Sequence, residues 1–290
     1  MIYKVSHRSL IAYDPPVIHA RFNLRLRPVA WAGQKLLSQR LSFLPLPANI
    51  TETLGPYPVN TTRLIFAEPL RELSLESEFQ VRVAARPIPD DSSTIEDIRR
   101  DALQSRNLTM LAPAPYLFGS PIARLHDEIA EWAAPLLPQG RSILAGVRDL
   151  TAAIHSGFTY RPGITNSKTP PIEAFRKREG VCQDFAHIMI IALRSHGIPA
   201  GYVSGYLRTE PPPGEDRLVG ADAMHAWAQV WCGPRLGWIG ADPTNNCLVG
   251  SDHIIVAMGR DYADIAPIDG VFVGNSSQHM NVAVDVVPVG

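Results

Sequence analysis

A thiolate, an imidazole and a carboxylate held in a row can attack a carbonyl, and this chain carries candidates for all three in Cys182, His225 and Asp242. Cys182 lies in the stretch Glu179-Gly180-Val181-Cys182-Gln183-Asp184-Phe185-Ala186-His187. Phe185, Ala186, Met189 and Leu193 follow it at offsets of three, four, seven and eleven, one face of a 3.6-residue repeat. Gly197 and Pro199 end the run, so Cys182 is predicted in the first turn of a helix. Unpaired amides and the positive end of the helix dipole favour a thiolate there. His225 opens the alternating run His225-Ala226-Trp227-Ala228-Gln229-Val230-Trp231, and Asp242 ends a second run that begins at Trp238. If these are paired strands with Trp231 opposite Trp238, Asp242 faces Trp227, one diagonal step from His225. Diagonal neighbours sit about 7–8 Å apart, within side-chain reach. Asp242 can then orient one imidazole nitrogen and leave the other for Cys182.

Each of these residues also has a plainer reading. A lone Cys in a helix is a small hydrophobe, a lone His on a sheet face is a satisfied polar group, and Asp before Pro is a turn former. Cys182, His187, His225 and Asp242 include zinc-type ligands, but no close-spaced ligand pair is present, and neither a metal nor another cofactor is expected. Cys232 and Cys247 read as passive thiols. His7 and His19 read as surface or loop residues near strand ends.

The elements that would position the site divide the chain in two. Residues 1–90 show period-two strands, clearest in Phe22, Leu24 and Leu26 and in Phe79, Val81 and Val83, broken by Pro and Gly. They predict an antiparallel β-sandwich, and the turn-rich stretch Arg86 to Ser93 reads as a linker. Residues 91–290 predict an α+β catalytic domain. Its helices lie near Thr94–Leu103, from Ser120-Pro121 to about Trp132, over Ser142–His155 and within Ser167–Phe175. Pro211-Pro212-Pro213-Gly214 reads as an exposed loop between strands. The later apolar runs, at 254–257, 270–274 and 282–287, are expected to complete the core sheet. The last of them could instead return to the N-terminal part.

Composition bounds the function. A chain of 290 residues with 46% hydrophobic and 19% charged residues is globular. A formal net charge of -1 leaves no electrostatic footprint for nucleic acid. No apolar stretch reaches the roughly 18 residues of a membrane span, and the start of the chain has no secretory pattern. Three Cys without CxxC spacing suit free thiols in a reducing compartment, so a cytoplasmic location is expected.

Taken together, Gly180 to His187, Arg194 to Tyr206, His225-Ala226-Trp227, Gly237-Trp238, Asp242 to Asn245, His253 and Gly259 to Tyr262 resemble the transglutaminase-like superfamily. The resemblance is to its bacterial branch, in which a β-rich N-terminal region precedes the core. It implies a papain-like core: a helical lobe, with the catalytic Cys at a helix N-terminus, packed on an antiparallel sheet. It makes Cys182 the nucleophile, His225 the base and Asp242 the orienter. One departure is Ala200-Gly201, where the family often carries Arg before Tyr-Val. The implied reaction is acyl transfer on the amide of a peptide or protein through a thioester. Hydrolysis is preferred, protein-glutamine transamidation is the alternative, and a non-enzymatic binding module is a third reading. Tyr160 and Gln183, beside the Cys182 amide, are the candidate oxyanion donors. Trp227 and Asp184 are placed at the substrate cleft, Trp227 as core and wall, Asp184 with Arg260-Asp261 as structural ion pairs. Self-association into a homo-oligomer stays open.

Overall fold

The computed structural model describes residues 1–89, 91–209 and 222–289; the expected loop at Pro211 to Gly214 lies outside them. The N-terminal strands are β1 (Ile2–Val17), β2 (His19–Leu24), β3 (Gln34–Leu44), β4 (Asn49–Leu54), β5 (Asn60–Phe66) and β6 (Leu70–Val83). Then come α1 (Ile95–Gln104), α2 (Asp127–Ala133), α3 (Ile143–Gly157), β7 (Thr159–Tyr160), α4 (Pro171–Lys177), β8 (Glu179–Gly180) and α5 (Cys182–Ser195). The core sheet is contributed by β9 (Ala200–Leu207), β10 (Met224–Trp231), β11 (Trp238–Asp242), β12 (Cys247–Leu248) and β13 (His253–Gly259). A short α6 (Gly233–Leu236) bridges β10 and β11. After β13 come α7 (Tyr262–Ile265), β14 (Ile268–Val273) and β15 (Ser277–Pro288).

Two four-stranded antiparallel sheets, ordered β15-β1-β6-β3 and β14-β2-β5-β4, form the sandwich. The alternation predicted for β2 and β6 is seen, with Phe22, Leu24, Phe79, Val81 and Val83 all inside. One face of β1 serves two cores. Ile11, Tyr13 and Val17 meet Phe22, Leu24 and Leu64 of the second sheet. Tyr3 and Val5 instead join Tyr206, Ile254 and Val256 of the core sheet. His7 lies between these zones, only 2% exposed, with Nδ1 at 2.8 Å from the Tyr206 hydroxyl and Nε2 at 2.9 Å from Ser9 Oγ. It is therefore not the surface residue expected; an alternation that points inward over so long a strand carries its polar members in as well.

The C-terminal strands bring a second correction, at β14, which pairs with β2 and does not extend the core sheet; β15 pairs with β1, the alternative that the sequence left open for the last strand. Strand periodicity fixes which residues face inward but not which sheet accepts the strand. The N-terminal region is thus closed by the last strands of the chain. Ser120-Pro121 does not begin a helix either. Ser120 Oγ accepts from the buried guanidinium of Arg194, and α2 starts at Asp127.

In the second half, the core sheet runs β12-β11-β10-β9-β13. α5 packs against β9 and β10 on one side and α2, α3 and α4 on the others. Every residue from Asp184 to Arg194 is buried, so α5 is a core helix rather than an amphipathic one. Replacing Phe185, which touches Phe158 and Tyr160, with Ala would cost about 3–5 kcal/mol. The helix ends where expected, with Gly197 at φ 69°, a left-handed turn that a side chain would strain. At the departure Gly201, an added Cβ would fall within 3.0 Å of Met258 and Tyr116. The buried Tyr116 ring fills the space a side chain at 201 would need, a substitution of packing partners that leaves the thiol, imidazole and carboxylate untouched.

Candidate active site

The start of α5 is built to leave its amides open. Its N-cap residue, Val181, is extended and offers no side-chain acceptor. What holds the turn instead is Asp184, whose Oδ2 accepts from the Val181 amide at 2.8 Å and from the Thr165 hydroxyl at 2.6 Å. This is the returning half of a capping box without its outgoing half. Gly180 makes the approach feasible, since a Cβ there would meet the Asp184 side chain at 2.8 Å. Asp184 is buried, and burial raises its carboxyl although these two donors pull the other way. It is neither a cleft residue nor an ion-pair partner, as expected from the sequence, but the brace beneath Cys182.

Strand pairing brings the imidazole and carboxylate together. Trp231 pairs with Trp238 and Ala228 with Ala241, the register on which the sequence argument depends. His225 Nε2 lies 2.8 Å from Asp242 Oδ2. That leaves Nδ1 on the side away from Asp242, and Cys182 is near enough to influence the ring. Burial drives the His225 pKa down, but Asp242 and Cys182 together outweigh it, so the net direction is up. Asp242 is fully buried; burial alone would raise its carboxyl, yet bonds from His225 and His253 hold it well below the usual carboxylate range.

Asp242 has more donors than the sequence suggested. Oδ1 accepts the amides of Thr244 and Asn245, at 3.0 and 3.2 Å. Oδ2 accepts Asn245 Nδ2 at 2.7 Å as well as the two imidazoles, with His253 Nε2 at 3.1 Å. His253 is a functional candidate that sequence reasoning placed only inside the family pattern, without a role. The available signal was its place at the start of β13, which pairs with β9 beside β10. Asp242, Cys247 and His253 each bring one ligand atom within 4.8 Å of the others, a donor set that suits zinc by type. The carboxylate is already saturated with donors, and a cation there would have to displace His225, His253 or Asn245. We therefore assign this cluster to the hydrogen-bond network. Burial and the Asp242 charge raise the Cys247 thiol to about 11, and burial raises Cys232 to about 12.

The remaining candidates separate. Tyr160 is held next to the helix start by the β7–β8 ladder, opposite Gly180, with the Arg161 amide on the Gly180 carbonyl at 2.8 Å. It is 51% exposed, and burial and the Cys182 charge both raise its phenol. Gln183 follows Cys182 in the first turn of α5 and is half-buried. Trp227 is completely buried, T-shaped against His253 at 5.2 Å, and so forms the floor beneath the histidines rather than a cleft wall. His187 is buried, stacked on Tyr202 at 4.6 Å, and accepts the Tyr262 amide. Burial lowers it to about 4, and it ties α5 to α7. Arg260 pairs with Asp264, not Asp261; Asp261 instead caps α7 and accepts the amides of Ile122 and Ala123.

A central helix that begins at a cysteine and packs on an antiparallel sheet carrying a histidine bonded to a carboxylate is the architecture of a papain-like core. The chain belongs to the transglutaminase-like superfamily, whose model matches residues 130–243, and residues 3–82 match the bacterial transglutaminase-like N-terminal region. It is similar to an uncharacterized protein of Mycobacterium tuberculosis, 37% identical over 290 residues that cover 99% of this chain and 92% of the relative. It is also 33% identical over 162 residues to a protein-glutamine gamma-glutamyltransferase of Pseudomonas aeruginosa, covering 53% of this chain and 22% of that protein. Among solved structures, "a Putative Cysteine Protease from Cytophaga hutchinsonii" has the same fold, with TM-score 0.70 and 24% identity over 100% of this chain and 92% of that one. No helix among the described residues is long and apolar enough to cross a membrane.

Proposed function

We propose that this protein is a cysteine-dependent amide hydrolase acting on peptides or proteins, with Cys182 as nucleophile, His225 as acid and base, and Asp242 as orienter. The observation that carries the reading is the 2.8 Å bond from His225 Nε2 to Asp242, with Cys182 acting on the same ring. An imidazolium that keeps its proton beside the sulfur stabilises a thiolate at neutral pH. The thiolate attacks the amide carbon, and the carbonyl electrons move to oxygen. The open amides at the start of α5, with Tyr160 and Gln183 beside them, supply donors for that oxyanion. Collapse breaks the C–N bond, and the amine leaves with the proton from His225. Water then attacks the thioester, gives its proton to His225, and releases the acid and the thiolate. Free thiols at all three cysteines suit a cytoplasmic setting.

Water is the favoured acceptor because Tyr160, near Cys182, is half-exposed, which gives solvent a route to that side of the site. Transamidation is the second reading, favoured by the similarity to the Pseudomonas aeruginosa glutamyltransferase. A glutamine-containing peptide offered with a labelled amine separates the two. Acid product without label supports hydrolysis; label in the peptide overturns it in favour of transamidation. Cys182→Ala is expected to abolish both products, by about 10⁴-fold or more, and full turnover by that variant would remove the mechanism altogether.

A further inference from the structure

Asp242 carries two imidazoles on one oxygen, but the proposed reaction uses only His225. The second, His253, is 6% exposed and sits at the start of β13. An ionised carboxylate only accepts, so His253 Nε2, 3.1 Å from Asp242 Oδ2, must be the protonated nitrogen. In the neutral ring His253 Nδ1 is then a lone pair, and it has no partner among the described residues. Among the other buried unpartnered acceptors, which include Thr244 Oγ1, the one that shares a cavity with His253 is Oε1 of Gln229, 1% exposed on β10. Both residues line the same cavity of about 60 Å³ behind the core sheet, bounded also by Gly240, Val249 and Ile255. Two unmatched acceptors facing one small polar space call for a molecule with two donors, and that volume has room for water.

We propose that His253 is a positioning residue for the site, holding Asp242 through Nε2–H while a water in this cavity donates one hydrogen to His253 Nδ1 and the other to Gln229 Oε1. This rests on the acyl-transfer reading of the site. The water fixes the tautomer of His253, and the tautomer presents a donor to the back of Asp242. That donor, with Asn245, stops the carboxylate from turning away from His225. It also withdraws part of the charge that His225 would otherwise feel, and so sets how tightly His225 keeps its proton.

Two measurements test this. In ¹⁵N-histidine-labelled protein at pH 8, the His253 resonances should be those of the Nε2–H tautomer; an Nδ1–H tautomer overturns the proposal without touching the role of Cys182. The second measurement is amide turnover against pH. Replacing His253 with Phe keeps the ring and removes the donor. We expect kcat to fall about 10- to 100-fold with KM within about twofold. The basic limb of the kcat profile should move to higher pH, because Asp242 then serves His225 alone. His253→Gln, whose amide can donate to Asp242, should restore most of the rate. A folded His253→Phe protein with wild-type kcat and pH profile overturns the proposal. So does a loss that His253→Gln leaves unrepaired with the pH profile unmoved, since His253 would then only fill space. If His253→Phe does not fold, the tautomer decides. Turnover by Cys182→Ala would instead defeat the acyl-transfer reading and leave the tautomer result standing.

Discussion

His7 and His225 are both withdrawn from solvent, yet the fold treats their protons in opposite ways. At the meeting of the three sheets, His7 has two hydroxyl partners, Tyr206 and Ser9, and no carboxylate. Burial is unopposed and lowers it to about 4. On β10, the central strand of the core sheet, His225 suffers the same burial, but Asp242 at 2.8 Å and Cys182 reverse the sign. The difference teaches where this protein can keep a charge inside. Neutral hydroxyls satisfy an imidazole's hydrogen bonds without compensating the cost of charging it. Only the Asp242 carboxylate, itself held ionised by five donors, does that.

The sharpest way to break the contrast is to make His225 resemble His7. Asp242→Asn keeps a hydrogen-bonding side chain but removes the charge. Amide turnover should fall about 10³- to 10⁴-fold, the scale seen when a triad carboxylate is neutralised. If the proposed mechanism holds, alkylation of Cys182 is expected to be fast at pH 6 in the wild type and to be slower there in Asp242→Asn. Fast alkylation at pH 6 in Asp242→Asn would mean that the charge of Asp242 is not what keeps the proton on His225.

The next effect is on stability and comes from His7. A group whose folded pKa lies below its unfolded value costs stability as the pH falls, because the unfolded chain takes up the proton first. Between the ordinary 6.5 and about 4, the penalty builds to about 3 kcal/mol and then levels off. His225 acts at the other end of the scale. Its raised pKa contributes stability that is fully present below 6.5 and is lost as the pH rises through the folded value. Asp242, held low, contributes stability above the ordinary carboxylate range and loses it only in strong acid. His187, also lowered to about 4, adds a penalty of the same sign, so between pH 7 and pH 4 urea melts should show His7→Gln losing about 3 kcal/mol less than the wild type. Equal acid sensitivity in the two proteins would place the titrating group elsewhere.

Much of the site could be read from the sequence because its geometry is local. One helical repeat sets Cys182 at a helix start, and one hairpin register sets Asp242 near His225. Both depend on periods within a few residues. What escaped depends on encounters between segments far apart in sequence. His253 reaches Asp242 only because β13 pairs with β9 on the far side of β10. His7 is buried only because one face of β1 spans two cores. β14 and β15 close the N-terminal sheets although their alternation would suit either sheet. Asp184 was misread for a different reason: an acidic residue in a first helical turn looks like a dipole partner or an ion pair, and only the Val at the N-cap position reveals it as a brace.

That brace gives a smaller effect. Asp184→Ala would leave the buried Val181 amide without its acceptor and loosen the turn that presents Cys182. The expected cost is about 1–2 kcal/mol, read as a shift in the urea midpoint with an unchanged slope. Turnover should fall modestly alongside, since the first turn of α5 carries both the sulfur and its amides. A turnover loss of the Asp242→Asn size without a stability change would assign Asp184 to the chemistry after all.

Tyr160 should show the smallest effect, and it bears on the comparison because its phenol sits near the one charge the site develops. Burial and Cys182 both raise its pKa, so the hydroxyl stays protonated and able to donate at neutral pH. The residue is half-exposed and held by a two-residue ladder, so its loss should barely alter stability. Under the proposed mechanism Tyr160→Phe would remove one donor out of several around the oxyanion, and a donor open to water is replaceable by water. The prediction is a fall in kcat of about three- to tenfold with KM unchanged. A fall of 10²-fold or more would make Tyr160 the principal oxyanion donor and shift that role away from the amides of α5. No fall at all would leave the amides as sufficient, with Tyr160 reduced to a lip over the sulfur.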